Sequence, residues 1–150
     1  MSDNPVSTDG PAAAAVSGLA AWHRLISNRD PSMLADLLAD DVVFHSPVVH
    51  SPQVGRARTT MYLAGAIHVL GNSSFRYVRQ VCQGHNAVLE FRADIDGVEV
   101  NGVDMISFDA DGRICDFTVM LRPLKGIQIV RERMAELLAA MAGGGQTSGG

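Results

Sequence analysis

The chain has 150 residues, of which 47% are hydrophobic and 19% charged, and its formal net charge is −4. This length and composition are typical of one globular domain with a sizeable core. The mild acidity gives no electrostatic footprint for DNA or RNA, so we expect no nucleic-acid partner. No apolar run approaches the roughly 20 residues of a membrane span, so we expect no membrane segment.

Both ends of the chain have compositions typical of flexible segments. Residues 1–11 combine Ser, Asp, Asn, Gly and two prolines, and residues 143–150 read GGGQTSGG. Such compositions favour disorder over packing. We therefore predict a disordered segment over 1–11, a single domain over 12–142 and a flexible tail over 143–150.

Hydrophobic periodicity divides the domain into helices and strands. Apolar residues recur at helical spacing in four stretches, predicted as helices over 13–28, 32–38, 58–70 and 124–142. Alternation and β-branched or aromatic residues predict strands over 42–47, 75–83, 87–95, 98–108 and 114–121. Helices packed on one face of a curved antiparallel sheet form an α+β architecture, which leaves a cone-shaped cavity on the concave side.

The two cysteines do not indicate a disulfide framework. Cys82 and Cys115 both fall in predicted strands, and we expect them to be unreactive core residues. Such cysteine usage fits a reducing, cytoplasmic setting. The glycines at 143–145 follow no predicted strand, so they are not a phosphate-binding loop, and we expect no cofactor.

The most unusual side chain is Asp104, in the long hairpin formed by strands 98–108 and 114–121. Because side chains alternate along a strand, Asp104 shares a face with the apolar Ile106 and Phe108. A buried carboxylate is unfavourable unless it is hydrogen-bonded, paired or protonated. We therefore expect Asp104 to face a cavity and to be protonated near neutral pH. The alternative is a structural Asp that is bonded to backbone or to Trp22.

Two stretches of the sequence resemble a known superfamily. LADDVVFHSPV at 38–48 and AVLEFRADIDGVEVNGVDMISFDADGRICDFTVMLRP at 87–123 resemble the nuclear transport factor 2-like superfamily, with the SnoaL-like and ketosteroid-isomerase-like branches closest. The resemblance covers residues 16–123. It implies a cystatin-like α+β barrel with a curved antiparallel sheet around helices, a deep apolar pocket and a homodimer.

The resemblance also implies roles for three positions. Ketosteroid isomerases use a carboxylate base, a protonated Asp and a Tyr donor. In this sequence those places correspond to Ser46, Asp104 and Trp22. Only Asp104 keeps its role. Ser46 cannot act unaided as a general base, and Trp22 stands in place of the Tyr donor. Ser46 and Asp104 are the candidate catalytic residues, with a plain hydroxyl in the pocket wall as the alternative for Ser46.

A set of large apolar side chains is expected to line the pocket, although the same residues can be interpreted as core packing. They are Trp22, Phe44, Tyr62, Phe91, Phe117 and Leu121. The expected ligand is a small apolar molecule. His45 and His50 have no Cys or carboxylate at ligand spacing, so we expect surface histidines and no metal site. Arg122, at a strand end, is expected to form a surface ion pair or a dimer contact.

Two classes of function remain open. The first is an isomerase, cyclase or hydratase that acts on an apolar carbonyl compound, with Asp104 as acid or hydrogen-bond donor. The second is a non-catalytic module that binds a hydrophobic ligand or forms a dimer. Strands 87–95 and 114–121 carry apolar or small residues on both faces, which predicts a homodimer through the outer face of the sheet.

Overall fold

The computed structural model describes residues 10–146. Within this range there are four α-helices: α1 (Ala13–Asn28), α2 (Leu34–Leu37), α3 (Arg56–Leu70) and α4 (Leu124–Gln146). A single 3-10 turn at Pro31–Met33 precedes α2. The strands are β1 (Leu38–His45), β2 (Gln53–Val54), β3 (Arg76–Gln83), β4 (Asn86–Ile95), β5 (Val98–Phe108) and β6 (Ile114–Arg122).

The element bounds follow the predicted ones closely except around residue 38. The helix predicted over 32–38 is present as the 3-10 turn and α2, but its last residue is wrong: the helix ends at Leu37, and Leu38 pairs with Ile114 as the first residue of β1. The short strand β2 lies in the predicted loop after residue 48 and pairs with β1. At the other end, α4 continues to Gln146, past the predicted domain end at Ala142. Of the segment 1–11 predicted as disordered, Pro11 forms a bridge to Gly84 and residues 1–9 lie outside the described range. Of the predicted tail 143–150, residues 143–146 belong to α4 and residues 147–150 lie outside that range.

The six strands form one open sheet in the order β2-β1-β6-β5-β4-β3. Every pairing is antiparallel except that of β1 with β6, which is parallel. A parallel pair needs a long crossover, which the intervening α3 and the three strands β3 to β5 supply. The predicted α+β class is confirmed, and the sheet is mixed where a wholly antiparallel one was expected.

The helices cover the concave face of the sheet and bury the core there. On β4 this face carries alternate buried residues from Ala87 to Ile95. Helix α1 approaches the β5–β6 turn closely at Gly18, where a Cβ atom would lie 2.4 Å from the Gly112 carbonyl oxygen and 2.5 Å from the Phe108 ring. Only glycine allows this approach. No helix in residues 10–146 is both long and apolar enough to cross a membrane.

A break in the β5–β6 register changes which residue of β6 enters the core. Ser107 pairs with Asp116, whereas the next residue, Phe108, pairs with Ile114, so Cys115 is the extra residue of a bulge. Ile114 therefore occupies the buried position, and Cys115 is only half-buried. The prediction of a core Cys115 is wrong for this reason, and Cys82 on β3 is half-buried as well. Burial still raises the pKa of both thiols, which keeps them protonated.

Candidate ligand pocket

A cavity of about 640 Å³ lies between the concave face of the sheet and the helices. This volume falls within the range of roughly 300–1,000 Å³ that is usual for small-molecule sites. All eight residues that the sequence singled out contribute to its wall: Trp22, Phe44, Ser46, Tyr62, Phe91, Asp104, Phe117 and Leu121. The fold thus brings together residues from α1, β1, α3, β4, β5 and β6 around one space.

One part of the wall is a band of four aromatic side chains. The edge of Trp22 packs on Phe117 with ring centroids 5.1 Å apart. Phe117 and Tyr62 each contact Phe44 at a centroid distance of 6.0 Å. Rings at these distances stabilise one another beyond the area that they bury. The band therefore forms a rigid, apolar surface for a ligand.

A second aromatic group includes two side chains that the sequence analysis did not single out. Phe75 stacks on Phe91 at 5.2 Å and meets the edge of Tyr77 at 5.1 Å. The Phe91 ring lies over β5 at Gly102, where a Cβ atom would come within 2.3 Å of Phe91 Cζ. Gly102 therefore makes room for this ring two residues before Asp104.

A chain of hydrogen bonds crosses the pocket from α1 to β5. The Tyr77 hydroxyl donates to Asp104 Oδ2 at 2.6 Å, and Trp22 Nε1 donates to the Tyr77 oxygen at 2.9 Å. Asp104 itself is only 6% exposed. Trp22 thus acts on Asp104 through Tyr77, so the alternative of a direct bond between Trp22 and Asp104 is wrong.

One oxygen of Asp104 remains available to the cavity. Within residues 10–142, whose side chains the structure describes, its single hydrogen-bond partner is Tyr77, which contacts Oδ2. In the same range the only fully buried side-chain oxygen or nitrogen without a partner is Thr60 Oγ1. Oδ1 of Asp104 has no partner and is not among the fully buried atoms, so it is reached from the cavity. A ligand can therefore bind Oδ1 while Tyr77 holds Oδ2.

Burial in this apolar site raises the pKa of both Asp104 and Tyr77. Loss of hydration raises the pKa of Asp104 from 3.8 to about 7, and the hydrogen bond from Tyr77 opposes the rise. Burial and the adjacent Asp104 raise the pKa of Tyr77 well above 10, so Tyr77 remains a donor. At neutral pH both protonation states of Asp104 are populated, where we expected the protonated state to prevail.

A bulge in β3 explains why the sequence analysis missed Tyr77. Counting back from the β3–β4 turn, Arg79 pairs with Glu90, but Tyr77 pairs with Phe91, so Val78 is an extra residue. Simple alternation places Tyr77 on the same face as Arg79, which is the outer face. The bulge at Val78 reverses this order and turns Tyr77 into the cavity. No local sequence signal pointed to it, because Val78 and Val81 on the same strand are apolar and exposed.

Ser46 lies in the cavity wall just after β1, and its hydroxyl is already engaged. Ser46 Oγ accepts a hydrogen bond from the backbone N–H of Val48 at 3.2 Å, which closes a turn. Among the charged side chains of the described cavity wall, Asp104 is the only carboxylate. No second carboxylate therefore stands beside Ser46 to act as a base.

The two histidines of this segment lie outside the cavity wall. His45 points to the opposite face from Ser46 and places Nε2 3.1 Å from Asp116 Oδ2, while His50 is exposed. No group of three His, Cys, Asp or Glu side chains in residues 10–146 is placed to hold a metal ion. Arg122 donates to Asn101 Oδ1 at 3.3 Å and forms no ion pair in that range, so the surface ion pair expected for it is wrong.

Comparisons with known proteins agree with this architecture. A steroid delta-isomerase from Pseudomonas aeruginosa is 42% identical, covering 91% of this chain and 99% of its own, with a TM-score of 0.85. An uncharacterised, conserved bacterial protein with a cystatin-like fold from Silicibacter pomeroyi is 30% identical over 83% of this chain and 87% of its own, with a TM-score of 0.77.

More distant structures share the fold alone. A nuclear transport factor 2-like protein of unknown function from Mesorhizobium loti is 19% identical over 78% of this chain and 98% of its own, with a TM-score of 0.66. No curated protein matches the chain. The family model of the SnoaL-like domain matches residues 19–117. The chain therefore belongs to the SnoaL-like domain family.

Proposed function

We propose that the cavity binds a compact, largely apolar molecule whose carbonyl or phenolic oxygen contacts Asp104 Oδ1. The observation that carries this proposal is the asymmetry of the carboxyl group, with Oδ2 held by Tyr77 and Oδ1 open to the cavity. The surrounding wall is dominated by aromatic and aliphatic side chains, and ligand sites typically combine such walls with a few oriented polar groups.

The favoured activity is of the isomerase or cyclase kind, with Asp104 as the proton-transfer group. A pKa of about 7 suits a general acid or base at neutral pH. Protonated Asp104 donates through Oδ1 to a substrate carbonyl, whereas ionised Asp104 accepts a proton or a hydroxyl hydrogen bond there. The hydrogen bond from Tyr77 stabilises the ionised form of Asp104. Trp22 donates a hydrogen bond to the Tyr77 oxygen, and the two bonds together fix the direction in which Asp104 Oδ1 points. The 42% identity to a steroid delta-isomerase supports an isomerase-type role.

The second candidate is a binding module without catalysis. It is favoured by Ser46, which stands where related isomerases have a base and whose hydroxyl is used in a turn. In that case Asp104 selects ligands with an oxygen at the inner end but transfers no proton. Native mass spectrometry of freshly purified protein separates the two candidates, since a co-purified ligand can be identified and then tested for turnover.

A thermal-shift screen with terpenoids, steroids and aromatic polyketides should find compounds that raise the melting temperature. A ligand at about 100 times its Kd stabilises a protein by about 2.7 kcal/mol. The variant Ala135→Trp, which places an indole in the cavity wall, should lose this stabilisation. Ala139→Trp lies one turn later on α4, outside the wall, and should keep it. Equal shifts in both variants, or no stabilising compound at all, would count against the proposal.

We also propose a homodimer through the outer face of the sheet. Val81, Val88 and Met105 pair in register across β3, β4 and β5, and Val81 is 56% exposed and Val88 38% exposed. Met120 on β6 is 56% exposed and pairs with Val103, two residues before Met105 on β5. An aligned apolar stripe on the face that carries no helices is unfavourable in water and is typical of an interaction surface.

Light scattering at micromolar concentration should therefore give twice the chain mass of 15.9 kDa. Val88→Glu places a charge in the stripe and should shift the protein to monomer. Val16→Glu, at an exposed valine of α1 on the helical side, is the matched control and should remain dimeric. A single-chain mass for the wild type would contradict the proposed dimer.

A cytoplasmic location is proposed from the cysteines. Cys82 on β3 and Cys115 on β6 are both free thiols, and two strands separate them in the sheet. Free thiols persist where the environment is reducing. Cell fractionation tests this location, and recovery of the protein from an exported fraction would contradict it.

A further inference from the structure

Three arginines surround the mouth of the cavity, and they come from three separate elements. Arg29 is the C-cap residue of α1, Arg76 begins β3, and Arg131 lies on α4. All three contribute to the cavity wall, and all three are exposed. Because exposed side chains of a cavity wall lie at its opening, these three arginines belong to the rim of the cavity.

These arginines have no carboxylate partner within residues 10–146. Four other arginines in that range do form ion pairs with carboxylates: Arg56, Arg79, Arg92 and Arg133. Arg76 makes one hydrogen bond, at 3.3 Å, to the Ser74 carbonyl, which leaves most of its donors free. The only Asp or Glu on the described wall is Asp104, which is buried. The mouth is thus positive in a chain of net charge −4, and such a rim attracts anions.

We propose that the ligand carries a carboxylate, which these arginines hold at the mouth while its apolar body fills the cavity. This inference rests on the proposed function, because it names the chemical group at the end of the same ligand that lies at the mouth of the cavity. A guanidinium group matches a carboxylate with two parallel hydrogen bonds. The opposite orientation is disfavoured, since a carboxylate at the inner end would meet the carboxyl group of Asp104. The substrate class is therefore a hydroxy or keto acid with an apolar middle.

Two probes that share the naphthol but differ in the charge of the carboxyl end test this assignment: 6-hydroxy-2-naphthoic acid and its methyl ester, which carries one extra methyl group. Both present a phenol to Asp104, and only the acid presents a carboxylate to the mouth. By calorimetry near neutral pH and at low salt, the acid should bind the wild type about tenfold more tightly than the ester. Raising NaCl to about 0.5 M should reduce this preference, because salt screens exposed charges.

Two triple variants, each of which loses three positive charges, show which arginines cause the preference for the acid. The triple variant Arg29→Gln, Arg76→Gln, Arg131→Gln should bind acid and ester equally and keep the affinity for the ester. The control Arg24→Gln, Arg58→Gln, Arg113→Gln removes three exposed arginines that are outside the cavity wall, and it should keep the preference for the acid.

Each outcome of this comparison decides between the two proposals. If the wild type binds the ester but does not prefer the acid, the carboxylate assignment is overturned and the proposed function stands. A preference that survives in the mouth variant, or disappears in the control, also overturns it. If neither probe binds the wild type, the proposed function fails, and the carboxylate assignment fails with it.

Discussion

The variant Asp104→Asn should be more stable than the wild type at about pH 8 and nearly equal to it at about pH 4. Burial raises the pKa of Asp104 in the folded state from 3.8 to about 7. A carboxyl group whose folded pKa is raised supports folding below its unfolded pKa, and this contribution is lost as the pH rises through the folded pKa. A shift of about three units corresponds to up to about 4 kcal/mol. Asn imitates the protonated form of Asp104 and never ionises, so the variant does not lose folding stability as the pH rises.

Urea unfolding of both proteins at the two pH values measures this difference. Asp111→Asn, at an exposed turn residue, removes one carboxylate elsewhere and should show no comparable dependence on pH. Carbon-detected NMR of Asp104 should give a midpoint near 7, and Tyr77→Phe should move it upward, because the Tyr77 hydrogen bond lowers the pKa. An ordinary pKa near 4 for Asp104 would refute the expectation.

The same variant should bind phenols more weakly although it is more stable. Asn can still accept the Tyr77 hydrogen bond, but then its amide nitrogen faces the cavity and cannot accept a hydrogen bond from a phenol. We expect a loss of roughly 1–3 kcal/mol in the affinity for 2-naphthol, the range for leaving a buried hydrogen-bonding group without its partner. Higher stability combined with weaker binding is typical of a functional residue and not of a structural one. Unchanged naphthol affinity would contradict a ligand-contacting Asp104.

Local rules were sufficient to predict much of this fold. Alternation along β5 placed Asp104 on the buried face correctly, because β5 pairs regularly with β4 from Val98 to Ser107 and with β6 from Asn101 to Ser107. Helical periodicity predicted the bounds of α1, where the apolar stripe is continuous. Each of these predictions needs only the residues of one element, which is why a single sequence can supply them.

The errors come from features that depend on distant residues. The bulges at Val78 and Cys115 each reverse the order of faces on their strand, and no local pattern marks either position. The parallel pairing of β1 with β6 joins residues about 70 apart in the chain, such as His45 and Thr118. The bulge at Val78 is the reason why the sequence did not reveal the contact between Tyr77 and Asp104. The identity of the group that orients Asp104 therefore required the structure.

The hydrogen-bond chain assigns Trp22 a role that its position in the family did not suggest. A donor on the first helix was expected to contact the ligand or Asp104, yet the indole N–H is used by Tyr77. Tyr77 in turn directs its proton to Asp104. In the proposed function Asp104 is the acid and Tyr77 is the donor that orients it. The resemblance to ketosteroid isomerases places a base at residue 46, where this chain has Ser46, so we propose that a base at this position is what isomerisation of an unsaturated ketone lacks.

Ser46→Asp should therefore create or raise the conversion of a β,γ-unsaturated ketone to its conjugated isomer. The new carboxylate removes the proton between the carbonyl group and the alkene, protonated Asp104 stabilises the enolate oxygen, and the proton returns at the γ carbon. A positioned base contributes about 10²–10⁴-fold, which the absorbance of the conjugated product measures. Activity should be highest between about pH 4 and 7, because the base must be ionised and Asp104 protonated. Ser51→Asp, in the exposed loop outside the cavity wall, should give no increase. A rate equal to that of Ser51→Asp would mean that residue 46 does not face the reacting carbon.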